Sequence, residues 1–336
     1  MTIEPMEARL VAELPAGDGW QFEPKWDGFR CLVFKAGDKV ELISKSGKPL
    51  ARYFPEVAAA VSALTPRMLA LDGELLIPVG RTLSFEALQM RLHPAESRIR
   101  KLSVETPALL MLFDWLETTA APLAERRDAL EAFHARHGTA ALRLSPKTDD
   151  RATAQAWLDG SGGALDGVIA KRLDEPYQPG ERAMRKVKRL RTADCVVGGF
   201  RYASNSKEVG SLLLGLYDDA GLLHHVGFTS AIAAADRPAL TAKLEKLIEV
   251  PGFTGDAPGG PSRWSTERSA EWQPLAPKLV AEVRYDHVTG RRFRHGTGFL
   301  RWRPDKAPRQ CTIEQLGEEA RPALVEAALE RAEAAA

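Results

Sequence analysis

The sequence predicts an α+β protein in two domains, with residues 1–191 mixing sheets and helices and residues 192–336 forming a small β-barrel with one or two helices. Three observations lead to this class. A chain of 336 residues is longer than most single domains. Hydrophobic residues make up 44%, enough for packed cores, and the composition gives no sign of disorder. Around Arg191–Ala193 the pattern changes from intermixed strands and helices to short strands separated by turn residues.

In chain order, Arg30–Phe34 and Val40–Ser44 read as strands flanking the turn residues Ala36-Gly37-Asp38. Phe54, Val57, Ala58 and Val61 recur at helical spacing, so Phe54–Leu64 is a helix. Met68–Pro78 reads as strand, turn and strand around Asp72-Gly73, and Phe85–Leu92 as a helix. Pro107–Trp115 is almost wholly apolar, as in a strand buried on both faces. Pro122–His137 and Asp149–Asp159 are helices, and Leu165–Lys171 is a strand. In the second domain the strands are Cys195–Tyr202, Leu212–Tyr217, His224–Phe228, Val280–Tyr285 and Phe299–Trp302. Arg237–Ile248 is a helix, Val250–Ser262 a Gly/Pro-rich loop, and Ile313–Ala334 a terminal helix.

Composition also excludes some chemistry. Cys31, Cys195 and Cys311 are far apart with no CxxC pair, which argues against a cysteine zinc site or a disulfide framework. The start, Met1–Leu10, lacks the apolar segment of a secretory signal, and the run Ala108–Phe113 is far too short to span a bilayer. A soluble, cytoplasmic protein without a membrane partner is expected. The net charge of +1 gives no general attraction for polyanions, so any nucleic-acid surface must come from local clusters.

Two such clusters exist. Met184–Arg191 holds five cations and no acid, and Gly290–Arg309 holds seven Arg or Lys against one acid. A third feature is Glu23-Pro-Lys25-Trp-Asp27-Gly28-Phe-Arg30, a lysine followed at once by a turn. Taken alone it reads equally as a surface hairpin or as a nucleophilic lysine. An amine with an ordinary pKa near ~10.4 must lose its proton before it can attack phosphorus. Nearby cations or a metal make that possible.

This segment, with five later stretches in the same order, resembles the covalent nucleotidyltransferases: DNA ligases, RNA ligases and mRNA capping enzymes. The likeness is to the ATP-dependent DNA ligases, most of all bacterial ligase C or the ligase portion of ligase D. It implies an adenylation domain of antiparallel sheets with helices, followed by an OB-fold. Lys25 would carry AMP, beside Asp27 of the same motif; Glu23 would read the adenine amino group and Arg30 the ribose. Ser44-Lys45-Ser46-Gly47 matches a nucleotide- or phosphate-contacting motif that usually carries arginine, a bidentate group that Lys45 lacks. In Leu71–Leu75, Glu74 would bind the ribose or a metal. In Phe113–Leu116, Phe113 would stack on adenine. Asp166–Lys171 supplies Asp166, where most of the superfamily has Glu, as a metal ligand, and Lys171 at the nucleotide. Lys186 and Lys188 would grip the α-phosphate and keep Lys25 from staying charged. In Leu300–Lys306, Arg303 and Lys306 would neutralise the β- and γ-phosphates, with Asp305 in the same motif.

The resemblance implies an enzyme that seals 5′-phosphate/3′-hydroxyl nicks in duplex DNA through lysyl-AMP and DNA-adenylate, using ATP and Mg²⁺ or Mn²⁺. A monomer acting in DNA repair, with repair proteins as partners, is expected. The barrel would swing on a hinge near Leu190–Asp194. The rivals are an RNA ligase, a capping enzyme using GTP, and a non-enzymatic nucleic-acid-binding module.

Overall fold

The computed structural model describes residues 3–80, 82–161, 165–259, 271–286, 288–289, 291–294 and 296–316. These fall into two compact units, and the chain passes from one to the other at Arg189–Leu190.

The first unit begins with strands β1 (Ala8–Leu10), β2 (Trp20–Trp26), β3 (Phe29–Ala36) and β4 (Lys39–Ser44). Helix α1 (Pro55–Ser62), strand β5 (Met68–Leu76) and the ribbon β6 (Pro78–Val79) and β7 (Thr82–Leu83) follow. Then come α2 (Phe85–Arg91), α3 (Glu96–Glu105), β8 (Leu109–Trp115), α4 (Leu123–His137), β9 (Leu142–Leu144), α5 (Arg151–Asp159), β10 (Leu165–Arg172) and β11 (Met184–Val187). Pro55 starts α1 where a missing N–H costs nothing. The Ser84 hydroxyl caps α2 by accepting from the Ala87 amide, and the Asp150 carboxylate caps α5 by accepting from those of Ala152 and Thr153.

The strands form two sheets. One runs β4-β3-β5-β8-β9 and is antiparallel except between β8 and β9. The other runs β1-β11-β10-β2 and is antiparallel except between β1 and β11. Val33, Leu71, Leu75 and Leu112 of the first sheet bury against Val57, Leu88 and Leu130 of the helices. Phe22, Val168 and Val187 of the second bury with Ala154 and Leu158 of α5. Two smaller clusters mix side chains from both sheets: Trp26, Leu76, Met111 and Leu165 in one, and Leu32, Ala70, Met6, Tyr177 and Met184 in the other.

Three expectations need correction. Met68–Leu76 is one continuous strand with no turn at Asp72-Gly73. Gly73 is there for closeness: a Cβ on it would lie 2.8 Å from the Met111 carbonyl of β8. Helix α3 was not anticipated, because Ile99 is its single buried residue and it presents no apolar stripe to read. At the C-terminal end, Ile313–Leu316 is a short 3₁₀ turn rather than the start of an α-helix, with Leu316 buried; the remainder of the expected helix lies outside the described residues.

The second unit is strand-rich: β12 (Arg191–Tyr202), β13 (Val209–Tyr217), β14 (Leu223–Thr229), α6 (Arg237–Glu245), β15 (Gln273–Pro274), β16 (Val280–Tyr285), β17 (Val288–Thr289), β18 (Arg292–Phe293) and β19 (Gly298–Trp302). Its main sheet runs β14-β13-β12-β16-β19, with β15 also on β12. A parallel bridge between Thr229 and Thr297 draws the two ends of this order together, and the Thr229 hydroxyl donates to the Thr297 carbonyl at 2.8 Å. Val196, Phe200, Leu212, Leu214, Val226 and Val283 fill the interior. No helix among the described residues is long and apolar enough to cross a membrane.

His225 of β14 is buried against Phe253, and its Nδ1 faces the Arg292 guanidinium at 2.5 Å. Burial first, then the charges of Arg292 and Arg201, push its pKa down to about 3. The unfolded imidazole takes up a proton below its ordinary pKa near ~6.5, whereas the folded one does so only near 3. This contribution to stability is therefore complete above the unfolded pKa and drains away on acidification. Denaturant unfolding should show wild type losing about 2 kcal/mol more than His225→Gln between pH ~6.5 and ~5. Equal slopes for the two proteins would show that His225 is not held neutral.

Candidate active site

A cleft of about 970 Å³ opens in the first unit. Both sheets and the N-terminal segment line it, and Glu23, Lys25, Arg30, Lys45, Glu74, Phe113, Lys171 and Lys186 all face it.

Lys25 lies near the end of β2, which is pinned where Trp26 Nε1 donates to Ser145 Oγ at 2.9 Å. The turn after it is tight. A Cβ on Gly28 would stand 2.2 Å from the Leu75 carbonyl, so only glycine lets β2 turn into β3 this close to β5. Lys25 Nζ lies 2.5 Å from Asp166 Oδ2, and Lys188 Nζ lies 3.0 Å from the same oxygen. Burial works against the charged carboxylate, but the two ammonium groups hold Asp166 below the ordinary carboxylate range.

Asp166 reaches this position through a break in the β2–β10 register between Leu165 and Val168. Gly167 takes φ +132° there, and a Cβ on it would meet the Val187 carbonyl at 2.0 Å. Lys186 sits on β11, and Lys188 follows just beyond the strand end. Partial burial, then Lys25 and Lys188, push the Lys186 pKa down. These distances add partners to the expected residues. Lys25 is not surrounded by cations alone, since its immediate partner is an acid, and Asp166 is engaged by two lysines.

On the other wall, Glu74 on β5 stands opposite Arg30 on β3. Burial lifts its pKa to about 7, against the pull of Lys25 and Arg30. Asp27 lies close enough to add to that rise. Arg30 holds Asp72 through two bonds of 2.6 and 2.5 Å, and its guanidinium lies 4.7 Å from the centre of the Phe113 ring. Lys171 Nζ approaches the same ring at 4.8 Å and pairs with Glu23 at 2.8 Å, both side chains being almost fully buried. Glu23 also accepts from Gln21 Nε2 at 2.7 Å. Beneath Phe113, Asp114 is bound bidentately by the buried Arg126 at 2.8 and 3.2 Å. At the rim, Lys45 pairs with Glu7 at 2.9 Å.

Arg303, Asp305 and Lys306 belong to the second unit. Arg303 donates to Asp194 at 2.9 and 3.1 Å and to Asp305 at 2.8 Å, and Lys306 Nζ lies 3.3 Å from Asp194. No role could be assigned from local motifs to Glu7, Asp72, Asp194 or Tyr177. Each acts through a partner distant in the chain, and no local pattern marks it. The Asp72-Gly73 pair was noticed, but as a turn.

Residues 5–188 match the model of the ATP dependent DNA ligase domain, and residues 205–306 that of the ATP dependent DNA ligase C terminal region. This chain belongs to the ATP-dependent DNA ligase family. It is 45% identical to DNA ligase C2 of Mycolicibacterium smegmatis over 94% of both chains. To DNA ligase C of Mycobacterium tuberculosis it is 44% identical over 94% of this ligase and 93% of that one. A solved Lig E DNA ligase shares the fold at a TM-score of 0.58 and 16% identity, over 90% of this chain and 100% of the other. The architecture is thus the mixed sheet-and-helix nucleotidyltransferase domain of the ligases, followed by the strand-rich OB-fold region.

Among the described residues no three His, Cys, Asp or Glu side chains form a ready metal site. Glu74 and Asp166 are the carboxylates that flank Lys25. That set suits Mg²⁺, which commonly takes one or two protein carboxylates and completes its shell with phosphates and water.

Gly167→Ala tests how the bulge places Asp166. The added methyl has no space and the backbone angle is strained, so stability should fall by about 2 kcal/mol or more in denaturant unfolding. A neutral result would show that the backbone there can relax.

Proposed function

We propose that the ligase seals nicks in duplex DNA by carrying AMP on Lys25. The observation that supports this most directly is Lys25 in a cleft with Asp166, Glu74, Lys186 and Phe113 around it. In the first step the Lys25 Nζ lone pair forms a bond to the α-phosphorus of ATP. The bond to the β-phosphate oxygen breaks, pyrophosphate leaves with that electron pair, and the amine protons pass to water. A 5′-phosphate oxygen of the nick then displaces the lysine, giving DNA-adenylate. Finally the 3′-hydroxyl attacks the 5′-phosphorus and AMP departs.

Phosphoryl transfer of this kind gains mostly from position and charge cover. Asp166 holds Lys25 and Lys188 in register before substrate arrives, and the phosphates of ATP compete with it for both cations. Lys186, raised from the strand beside them, meets the α-phosphate. Phe113 offers a flat face to the adenine, with Glu23 and Lys171 at its edge. Arg30 and Glu74 border the ribose, Asp27 lies beside Glu74, and Lys45 stands at the rim. Arg303, Lys306 and Asp305 serve the outer phosphates. Glu74 and Asp166 would hold Mg²⁺ or Mn²⁺, which would neutralise charge on the phosphates. We take the enzyme to act as a cytoplasmic monomer in DNA repair, alongside repair proteins.

Lys25→Ala should abolish the protein–AMP adduct formed with labelled ATP. An adduct at wild-type level in that variant would remove the central assignment. Phe113→Ala should weaken ATP binding by about 1–3 kcal/mol, the scale of aromatic–base stacking. Unchanged affinity in calorimetry would return Phe113 to a packing role.

A further inference from the structure

We propose that Tyr177 is a positioning residue, which fixes the N-terminal segment as one wall of the nucleotide cleft. Tyr177 lies in the loop between β10 and β11 and is buried. Its hydroxyl donates to Asp72 Oδ2 and accepts from the Met6 amide, both at 2.8 Å. Asp72 in turn accepts from Arg30 Nε and Nη2 at 2.6 and 2.5 Å, and Arg30 Nη2 also donates to the Met6 carbonyl at 3.2 Å. The bonds form a closed circuit: Met6 amide, Tyr177, Asp72, Arg30, Met6 carbonyl. Both peptide groups of one residue are its two ends.

The circuit joins four separated parts of the chain, of which only the strands carrying Arg30 and Asp72 are paired in a sheet. Met6 is followed by Glu7, whose carbonyl accepts from the Met184 amide at 3.1 Å, and then by β1. Pro5, Met6, Glu7 and Ala8 line the cleft, and so do Arg30 and Phe113. A segment this short has little packing of its own, and Met6 is its main buried anchor. Members of a hydrogen-bonded ring polarise one another, and a gap leaves buried groups unpaired at both sides of the break. Losing the phenol oxygen strands the Met6 N–H and takes one partner from Asp72. The wall then loosens, and the Arg30 guanidinium loses its fixed place over Phe113.

This inference rests on the reading of the cleft as the ATP site. The test uses the full chain as wild type, Tyr177→Phe and Asp72→Asn. Magnesium-free ATP binding, the rate of adduct formation at saturating ATP with magnesium, and amide exchange are measured for each. Tyr177→Phe should raise the Kd for ATP about tenfold, in line with one buried donor left unpaired. The saturating adduct rate should stay within about threefold, since the Lys25–Asp166 pair lies outside the circuit. Exchange at the Met6 amide should quicken by about tenfold or more, with amides of β16 unchanged as a control for general loosening. Asp72→Asn should weaken ATP binding as well, because it opens the same circuit. An unchanged Kd in Tyr177→Phe would overturn the proposal, and so would weakening in Asp72→Asn alone or faster exchange spread equally over β16. Wild type that fails to bind ATP would overturn both this inference and the reading beneath it. Wild type that binds ATP without forming an adduct would count against Lys25 alone, and the Kd comparison would still decide for or against Tyr177.

Discussion

The cleft is organised around the cost of holding positive charge away from water. An ammonium or guanidinium removed from solvent without a partner costs several kcal/mol, and most of the buried and half-buried cations here are given an acid. Lys171 has Glu23, Arg30 has Asp72, Arg126 has Asp114, and Lys25 and Lys188 share Asp166. The pairing also sets geometry. A bidentate carboxylate fixes the plane of a guanidinium, and Arg30 held by Asp72 is thereby set over the Phe113 ring.

The same constraint explains how a protein with almost no net charge can serve a highly charged substrate. Cations gather in the cleft and in the second unit's Leu300–Lys306 segment, and acids lie beside several of them. Phosphate groups offer those cations more negative oxygen than a single carboxylate does. On the proposed reading of the cleft, substrate binding is an exchange of ion pairs within a built site, and the cations need not be reoriented from water. The second unit repeats the device, with Asp194 between Arg303 and Lys306.

Much of the strand and helix order was legible because burial leaves a pattern. The apolar run before Trp115 is buried along β8, and the period of Phe54, Val57 and Val61 marks α1. Lys25, Glu74, Phe113 and Lys186 could be singled out from local motifs, and the fold brings them to one cleft. What stayed hidden was relational. Gly73 looked like a turn because glycine's need for φ > 0 and its need for close strand contact look alike in a sequence. Asp166 was read by its motif as a metal ligand, yet its lysine partners come from two other strands or their ends. Tyr177 is an unremarkable loop aromatic until the fold sets it against Asp72 and Met6.

Strand β1 carries a further consequence. It pairs in parallel with β11, Ala8 against Met184, so two strands far apart in the sequence are fastened side by side. Contacts between such distant positions form late, because a long loop must close first. During synthesis β1 must wait until Met184–Lys186 has emerged before it finds its neighbour. A chain stalled before β11 would therefore leave the cleft unfinished, with β1 unpaired and the Lys186 side of the lining missing.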